Sequence, residues 1–128
     1  MSYFTRAAVT VNTSSDGTAT AYSTAALTGY VQAVRLSTDT TLTSSGRATI
    51  TAERSGLAIL TSSGLDAAFT SYPRAVVVDT NQTGLYYSTG STGAPIQTLI
   101  PLAQERIKVV VSSGGDTKSG VFTFLVGG

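Results

Sequence analysis

The 128-residue sequence contains no cysteine, no histidine and no tryptophan. Without cysteine it can form no disulfide, no thiolate nucleophile and no cysteine-based zinc site. Without histidine it lacks the usual general base and the most common metal ligand. The acid–base groups that remain are seven carboxylates, most of them beside Gly, Ser or Thr, where turns and strand ends are expected. We therefore predict no catalytic residue, no metal site and no cofactor, and we expect that the protein is not an enzyme.

Charge is also scarce, at 12% of residues with a net charge of +1, whereas soluble proteins carry about 25%. The cations form no run and no stripe with interleaved aromatic residues, so no nucleic-acid binding is predicted. No apolar stretch approaches the length of a membrane span, and the N-terminus lacks the layout of a secretory signal. We expect a protein that is made in a cytoplasm and has no membrane partner. So little charge also indicates that a neighbour covers part of the surface.

Serine and threonine fill the polar positions and make up about 30% of the chain, far above their typical usage. Threonine favours pleated, half-buried strands, whereas helical surfaces normally carry Glu, Lys, Gln and Arg. Turn residues separate about eight short apolar or alternating runs. The sequence therefore predicts an all-β fold. Residues 1–128 are expected to form a single domain, a β-sandwich or jelly-roll of about eight short antiparallel strands.

The strongest strand pattern lies in the last third of the chain. Two short apolar runs, 107–111 and 121–126, flank the Gly- and Ser-rich segment 112–120, a layout typical of a β-hairpin. Ile107, Val109 and Val111 share one face of the first run, and Phe122, Phe124 and Val126 share one face of the second. A further hairpin is predicted at the N-terminus, where residues 5–12 and 18–24 flank the Asp16-Gly17 turn signal.

Two other segments have a clear period of two. Residues 47–53 show the cleanest alternation, and Ala48, Ile50 and Ala52 are expected to point inward. In residues 30–37 the pattern groups the side chains in two sets. Tyr30, Val34 and Leu36 are expected on one face, and Val31, Ala33 and Arg35 on the other.

Two segments are predicted to contact a partner. Residues 1–6 are interpreted as a possible extended N-terminal arm. Residues 82–101, with three Gly and two Pro, are interpreted as one long loop, although 85–87 also fits a short edge strand. The candidate contact residues are the following aromatic and arginine side chains: Tyr3, Phe4, Arg6, Tyr72, Arg74, Tyr86, Tyr87 and Arg106.

Some of these candidates have a second interpretation. Arg74 and Arg106 fit interface anchors, because arginine pairs bidentately with carboxylates, and they fit solvated strand ends equally well. The tyrosines Tyr72, Tyr86 and Tyr87 fit either the rim of the core or a surface on which a sugar ring stacks.

Four features of the last ~55 residues occur together: a Tyr-Pro-Arg step at 72–74, an Arg-x-Lys strand from Arg106, a Gly-rich loop with Lys118, and a closing strand that ends in Val126-Gly127. With these residues the chain resembles small structural proteins of tailed bacteriophages, although the N-terminal half is similar only in layout. The resemblance implies a capsid decoration (cement) protein, a homo-oligomeric β-sandwich, dimer or trimer, on the outer surface of the virion. Such a protein is made in the bacterial host cytoplasm, and it binds and stabilises the shell of the major capsid protein.

Other functions stay open at this point. The same resemblance fits a structural component of the neck, tail or baseplate, which copy number in the particle would distinguish. A carbohydrate-binding module is a third interpretation, and glycan binding in solution would reveal it.

Overall fold

The computed structural model describes residues 4–76, 86–89, 92–95 and 97–127. Within these ranges the chain forms thirteen β-strands and no helix. The described residues therefore contain no helix that could cross a membrane. The strands are β1 (Phe4–Asn12), β2 (Ala19–Tyr22), β3 (Leu27–Leu36), β4 (Arg47–Ala52), β5 (Ala58–Ser63), β6 (Phe69–Ser71), β7 (Ala75–Val76), β8 (Tyr86–Thr89), β9 (Thr92–Pro95), β10 (Gln97–Thr98), β11 (Ile100–Glu105), β12 (Ile107–Ser112) and β13 (Ser119–Gly127). The all-β prediction is confirmed. The described strands outnumber the predicted eight because several are only two to four residues long.

Two antiparallel sheets carry the fold. Sheet A has the strand order β1-β13-β3-β11, and sheet B has the order β2-β12-β4-β5. The long strand β3 pairs with β11 through its first half and with β6 through its last three residues, on the edge away from β13. Two small ribbons, β7 with β10 and β8 with β9, complete the described strands.

The inner sides of the two sheets share one hydrophobic core. Sheet A contributes Val9, Val11, Val31, Val34, Leu36, Phe122, Phe124 and Val126, and sheet B contributes Ala48, Ile50, Ala52, Ile107, Val109 and Val111. Each fully buried Val, Leu, Ile or Phe contributes about 1.5–3 kcal/mol relative to an exposed position. The burial of these residues confirms which face of segments 47–53, 107–111 and 121–126 is apolar and points to the core. Because two sheets enclose one core, the arrangement is sandwich-like. The jelly-roll order stays a prediction.

The two predicted hairpins are wrong. Strand β12 belongs to sheet B and β13 to sheet A, and β1 and β2 are divided in the same way. Each pair is joined by an arch, a connection that crosses from one sheet to the other. The reason is that both edges of β12 are occupied by β2 and β4, and both edges of β13 by β1 and β3. The apolar faces of β12 and β13 thus meet across the core instead of lying side by side.

Strand β3 departs from strict alternation. Its pairing with β13 shifts between Leu125 and Val126, which leaves Gln32 without a partner on β13. The extra residue is a β-bulge, and it moves later residues to the opposite face. Val31 and Val34 are consequently both buried, although they were predicted on opposite faces.

The predicted loop and arm are replaced by strands wherever the structure describes them. The segment 82–101 contains β8, β9, β10 and the start of β11, and its buried Ile100 packs in the core. At the N-terminus, residues 4–6 form the first part of β1 and pair with residues 125–127. Residues 1–3, 77–85, 90, 91, 96 and 128 lie outside the described residues.

Candidate interaction face

The outward side of sheet A carries large apolar side chains at the protein surface. Phe4 is 59% exposed, Tyr30 40% and Leu125 39%. Burying such side chains is favourable, and aromatic residues are enriched where proteins meet partners. Two arginines, Arg6 and Arg35, lie on the same side of the sheet. We call this group of five side chains the arginine face.

Strand register places the members of this face. Arg6 on β1 is opposite Leu125 on β13. Arg35 on β3 is opposite Thr123, which precedes Leu125 by two residues on β13. The two guanidinium groups therefore flank β13 from its two neighbouring strands. Together with Leu125 and Thr123 they line a shallow groove of about 300 Å³.

The charge of this face has one sign. The described residues that point outward from sheet A include Arg6 and Arg35 but no carboxylate. Neither arginine is part of a salt bridge among the described residues. A face with exposed aromatic and arginine side chains, and without Lys, Glu or Asp, has the composition of a protein–protein interface core.

Sequence reasoning identified Phe4 and Arg6 but missed Tyr30, Arg35 and Leu125. The signal for Arg35 was present, because it alternates with the core residues Val34 and Leu36. What the sequence did not show is that β3 and β1 are both neighbours of β13, which brings the two arginines to one surface.

Arg74 supports the backbone of sheet A. Its Nη1 donates hydrogen bonds to the carbonyl oxygens of Gln32, at 3.3 Å, and Pro73, at 2.7 Å. Gln32 lies on the edge of β3 between the residues that pair with the start of β11 and those that pair with the end of β6, and no described strand pairs with it on that edge. Arg74 therefore occupies a gap in strand pairing. The neighbouring Tyr72 is 67% exposed.

Arg106 is held by two groups of its own chain, on the outer side of sheet B. Its Nε donates a hydrogen bond of 3.0 Å to Glu53 Oε1, and its Nη2 donates a second one to Glu53 Oε2. Its guanidinium carbon lies 4.5 Å from the ring centroid of Tyr22, the geometry of a cation–π contact. The bonds from Arg106 lower the pKa of Glu53, and those to Glu53 raise the pKa of Arg106. The guanidinium thus connects the residue before β12 to the residue after β4 and to Tyr22 of β2.

The remaining predicted contacts are placed less fully. Tyr3 lies outside the described residues. Tyr86 and Tyr87 are in β8, where they pair with Pro95 and Ala94 of β9. Of the predicted contact residues whose side chains the structure describes, Phe4 and Arg6 lie on the arginine face, whereas Tyr72, Arg74 and Arg106 do not.

One buried carboxylate was not singled out by sequence reasoning. Glu105 is 3% exposed and accepts hydrogen bonds from the main-chain N–H groups of Ser55 (2.8 Å), Arg54 (3.0 Å) and Ala103 (3.3 Å). The bond from Ser55 has the largest effect, and the three together lower the pKa of Glu105 despite its burial. The carboxylate fixes the turn between β4 and β5 against the end of β11.

A second cluster of polar and acidic side chains lines the cleft between the two arches. Ser15, Asp16, Gly17, Thr43, Ser45, Ser113, Gly115 and Asp116 line it. Asp16 accepts hydrogen bonds from the hydroxyl groups of Ser14 and Thr18, and the bond from Ser14 contributes most to lowering the pKa of Asp16. This aspartate is a turn-capping group. In the part of the chain that the structure describes, no three acidic side chains cluster closely enough to hold a metal ion.

Comparison with known proteins adds no relative: no family model, no curated protein and no solved structure matches this chain.

Proposed function

We propose that this chain is a virion structural protein of a tailed bacteriophage, a capsid decoration protein that binds and stabilises the shell of the major capsid protein. The proposal rests on the resemblance of residues 72–127 to phage structural proteins together with one structural observation. That observation is the arginine face, a surface with the composition of an interface on a rigid two-sheet scaffold.

The arginine face suits a large, static partner. Its side chains stand on three hydrogen-bonded neighbouring strands, β1, β13 and β3, so their relative positions are fixed by main-chain bonds. A preorganised surface loses little conformational freedom on binding, which favours affinity. Arg6 and Arg35 would pair with carboxylates of the shell. Phe4, Tyr30 and Leu125 would be buried in the interface between this chain and the shell.

Quantitative protein mass spectrometry of purified virions tests where the protein acts. A capsid decoration protein covers a lattice, so we expect a molar ratio to the major capsid protein on the order of one. A ratio of a few per cent would instead support a neck, tail or baseplate component, and absence from the particle would overturn both assignments.

Binding to isolated shells tests the surface. The double variant Arg6→Ser/Arg35→Ser should bind capsids that lack this protein at least about tenfold more weakly, because hot-spot arginines each contribute more than 1 kcal/mol. The matched control is Arg47→Ser/Arg54→Ser, which removes two exposed arginines away from the arginine face. Both variants change the net charge from +1 to −1, by the loss of two cations. Equal loss in the two variants would show that general charge, and not this face, controls binding.

A further inference from the structure

The outer edge of β1 differs from every other sheet edge in the described part of the chain. Strand β1 pairs with β13 over nine consecutive residues, from Phe4 to Asn12, without a register shift. On its other side no described strand pairs with it. A long, regular edge of this kind presents a row of main-chain donors and acceptors to which another strand can add.

The remaining edges carry features that discourage such pairing. At the edges of sheet B, β2 is four residues long and β5 is bulged at Ile59. On the far edge of sheet A, β6 has three residues, while β11 contains Pro101 and is bulged at Gln104, which has φ 49°. Short strands, prolines and bulges are the devices that block edge-to-edge association. Strand β1 has no proline, no lysine and no bulge.

The hydrogen bond that follows β1 shows which of its groups point outward. Thr13 N–H donates to the carbonyl of Lys118, at 2.8 Å, in line with the β1–β13 ladder. Because main-chain groups alternate between the two edges of a strand, the odd-numbered residues of β1 bond to β13. The even-numbered residues, from Phe4 to Asn12, therefore direct their N–H and C=O groups to the free edge. Ala8 is the central one.

We propose that two copies of this chain associate through their β1 strands, antiparallel and in the register that pairs Ala8 with Ala8 of the partner subunit. In this register every even residue is opposite another even residue, so the free donors and acceptors of both edges match. The full overlap would form about ten main-chain hydrogen bonds.

The side chains are compatible with this two-fold pairing. Arg6 would be opposite the partner subunit's Thr10, and Phe4 opposite the partner subunit's Asn12, so no like charges oppose each other. At the axis stand two small, exposed alanines. Sheet A would continue from one subunit into the next, and the two arginine faces would form one larger surface.

Analytical ultracentrifugation and a cysteine crosslink test the pairing in the isolated protein, so the outcome does not depend on the proposed function. We expect the native chain to sediment as a dimer at micromolar concentrations. Because the native chain has no cysteine, Ala8→Cys introduces a single thiol at the axis. The two Cα atoms would be about 5.5 Å apart, which a disulfide spans. Oxidation should therefore give a covalent dimer, whereas the exposed control Thr61→Cys on β5 should stay largely uncrosslinked.

Charge at the axis gives an independent test. Ala8→Lys and Ala8→Glu should each sediment as folded monomers, because two like charges would face each other across the axis. An equimolar mixture of the two variants should recover the dimer. A monomeric native chain would overturn the proposal. So would equal crosslinking of the two cysteine variants, or a dimer that neither charge disrupts.

Discussion

The hydroxyl group of Thr13 and the main chain of Lys118 join the two arches that connect sheets A and B. Thr13 Oγ1 accepts a hydrogen bond of 2.7 Å from the N–H of Lys118, and it donates one of 2.6 Å to the carbonyl of Gly115. Thr13 is only 5% exposed, so water does not replace these bonds. The first arch, after β1, is thereby fixed to the second arch, before β13.

Replacing this hydroxyl tests its contribution to stability. Thr13→Val keeps the shape of the side chain but leaves the Lys118 N–H and the Gly115 carbonyl without this partner. We expect the free energy of unfolding in urea to fall by about 1–3 kcal/mol, the cost of buried polar groups left unpaired. The control Thr49→Val, at an exposed position of β4, should stay within about 0.5 kcal/mol of the native protein. Similar values for both variants would contradict the assigned role of Thr13.

Gly115, in the second arch, is predicted to tolerate no side chain. Its φ is +96°, and an added Cβ would lie 2.6 Å from Cγ2 of Thr43. Thr43 cannot turn away freely, because its hydroxyl donates a 2.7 Å hydrogen bond to the Ser113 carbonyl.

The variant Gly115→Ala is compared with Gly56→Ala, which has φ +75° and an open space around the new Cβ. The left-handed backbone should cost each variant about 1–2 kcal/mol. Gly115→Ala should lose about 1–3 kcal/mol more in thermal or urea unfolding, because the methyl group overpacks its site. Equal destabilisation would mean that the second arch adjusts without cost.

Sequence periodicity predicted the faces of strands better than their partners. The inward positions of β4, β12 and β13 follow from alternation within each strand, which is a local property. Whether β12 and β13 form a hairpin or an arch depends on which strands occupy their edges, and β1, β2, β3 and β4 are distant in sequence. A Gly-rich link between two alternating runs has the same pattern in both cases. The bulge at Gln32 could not be predicted for a similar reason, because it arises from the register in which β3 pairs with the distant strand β13.

In the arginine face, too, the local sequence indicated individual residues but not which residues lie together. Phe4 and Arg6 were identified because exposed aromatic and arginine side chains stand out in a chain with little charge. Arg35 joined them only through the strand order of sheet A. Arg106, by contrast, has partners within its own chain, Glu53 and Tyr22, whose proximity the sequence did not indicate.

The buried carboxylate of Glu105 should influence stability in acid. Three main-chain N–H groups lower its pKa, so its folded pKa is below that of the unfolded chain. Its stabilising contribution is therefore complete above the ordinary glutamate value of about 4.3, and is lost as the pH falls through the folded pKa. Glu105→Gln should reduce the free energy of unfolding by about 1–3 kcal/mol at pH 7, and by clearly less at the acid end of the profile.

The control for this pH profile is Asp66→Asn, which changes an exposed carboxylate in the turn before β6. At pH 7 its free energy of unfolding should stay within about 0.5 kcal/mol of that of the native protein. Glu53 and Asp16 also have lowered pKa values, so the native protein and both variants keep part of their acid sensitivity. A constant difference between Glu105→Gln and the native protein from pH 7 to acid would show that the charge of Glu105 is not responsible.

Arg74 and Arg35 allow the structural and the interface roles of arginine to be separated in one experiment. Arg74 donates to the Gln32 and Pro73 carbonyls, whereas Arg35 lies on the arginine face and has no salt bridge among the described residues. Arg74→Ala should lower the free energy of unfolding of the isolated protein by about 0.5–1.5 kcal/mol, and Arg35→Ala should leave it within about 0.5 kcal/mol. Capsid binding should show the opposite order, with the larger loss in Arg35→Ala. Unchanged stability in Arg74→Ala with weakened binding would instead make Arg74 an interface residue, and would extend the contact surface from the outer side of sheet A to the edge of β3.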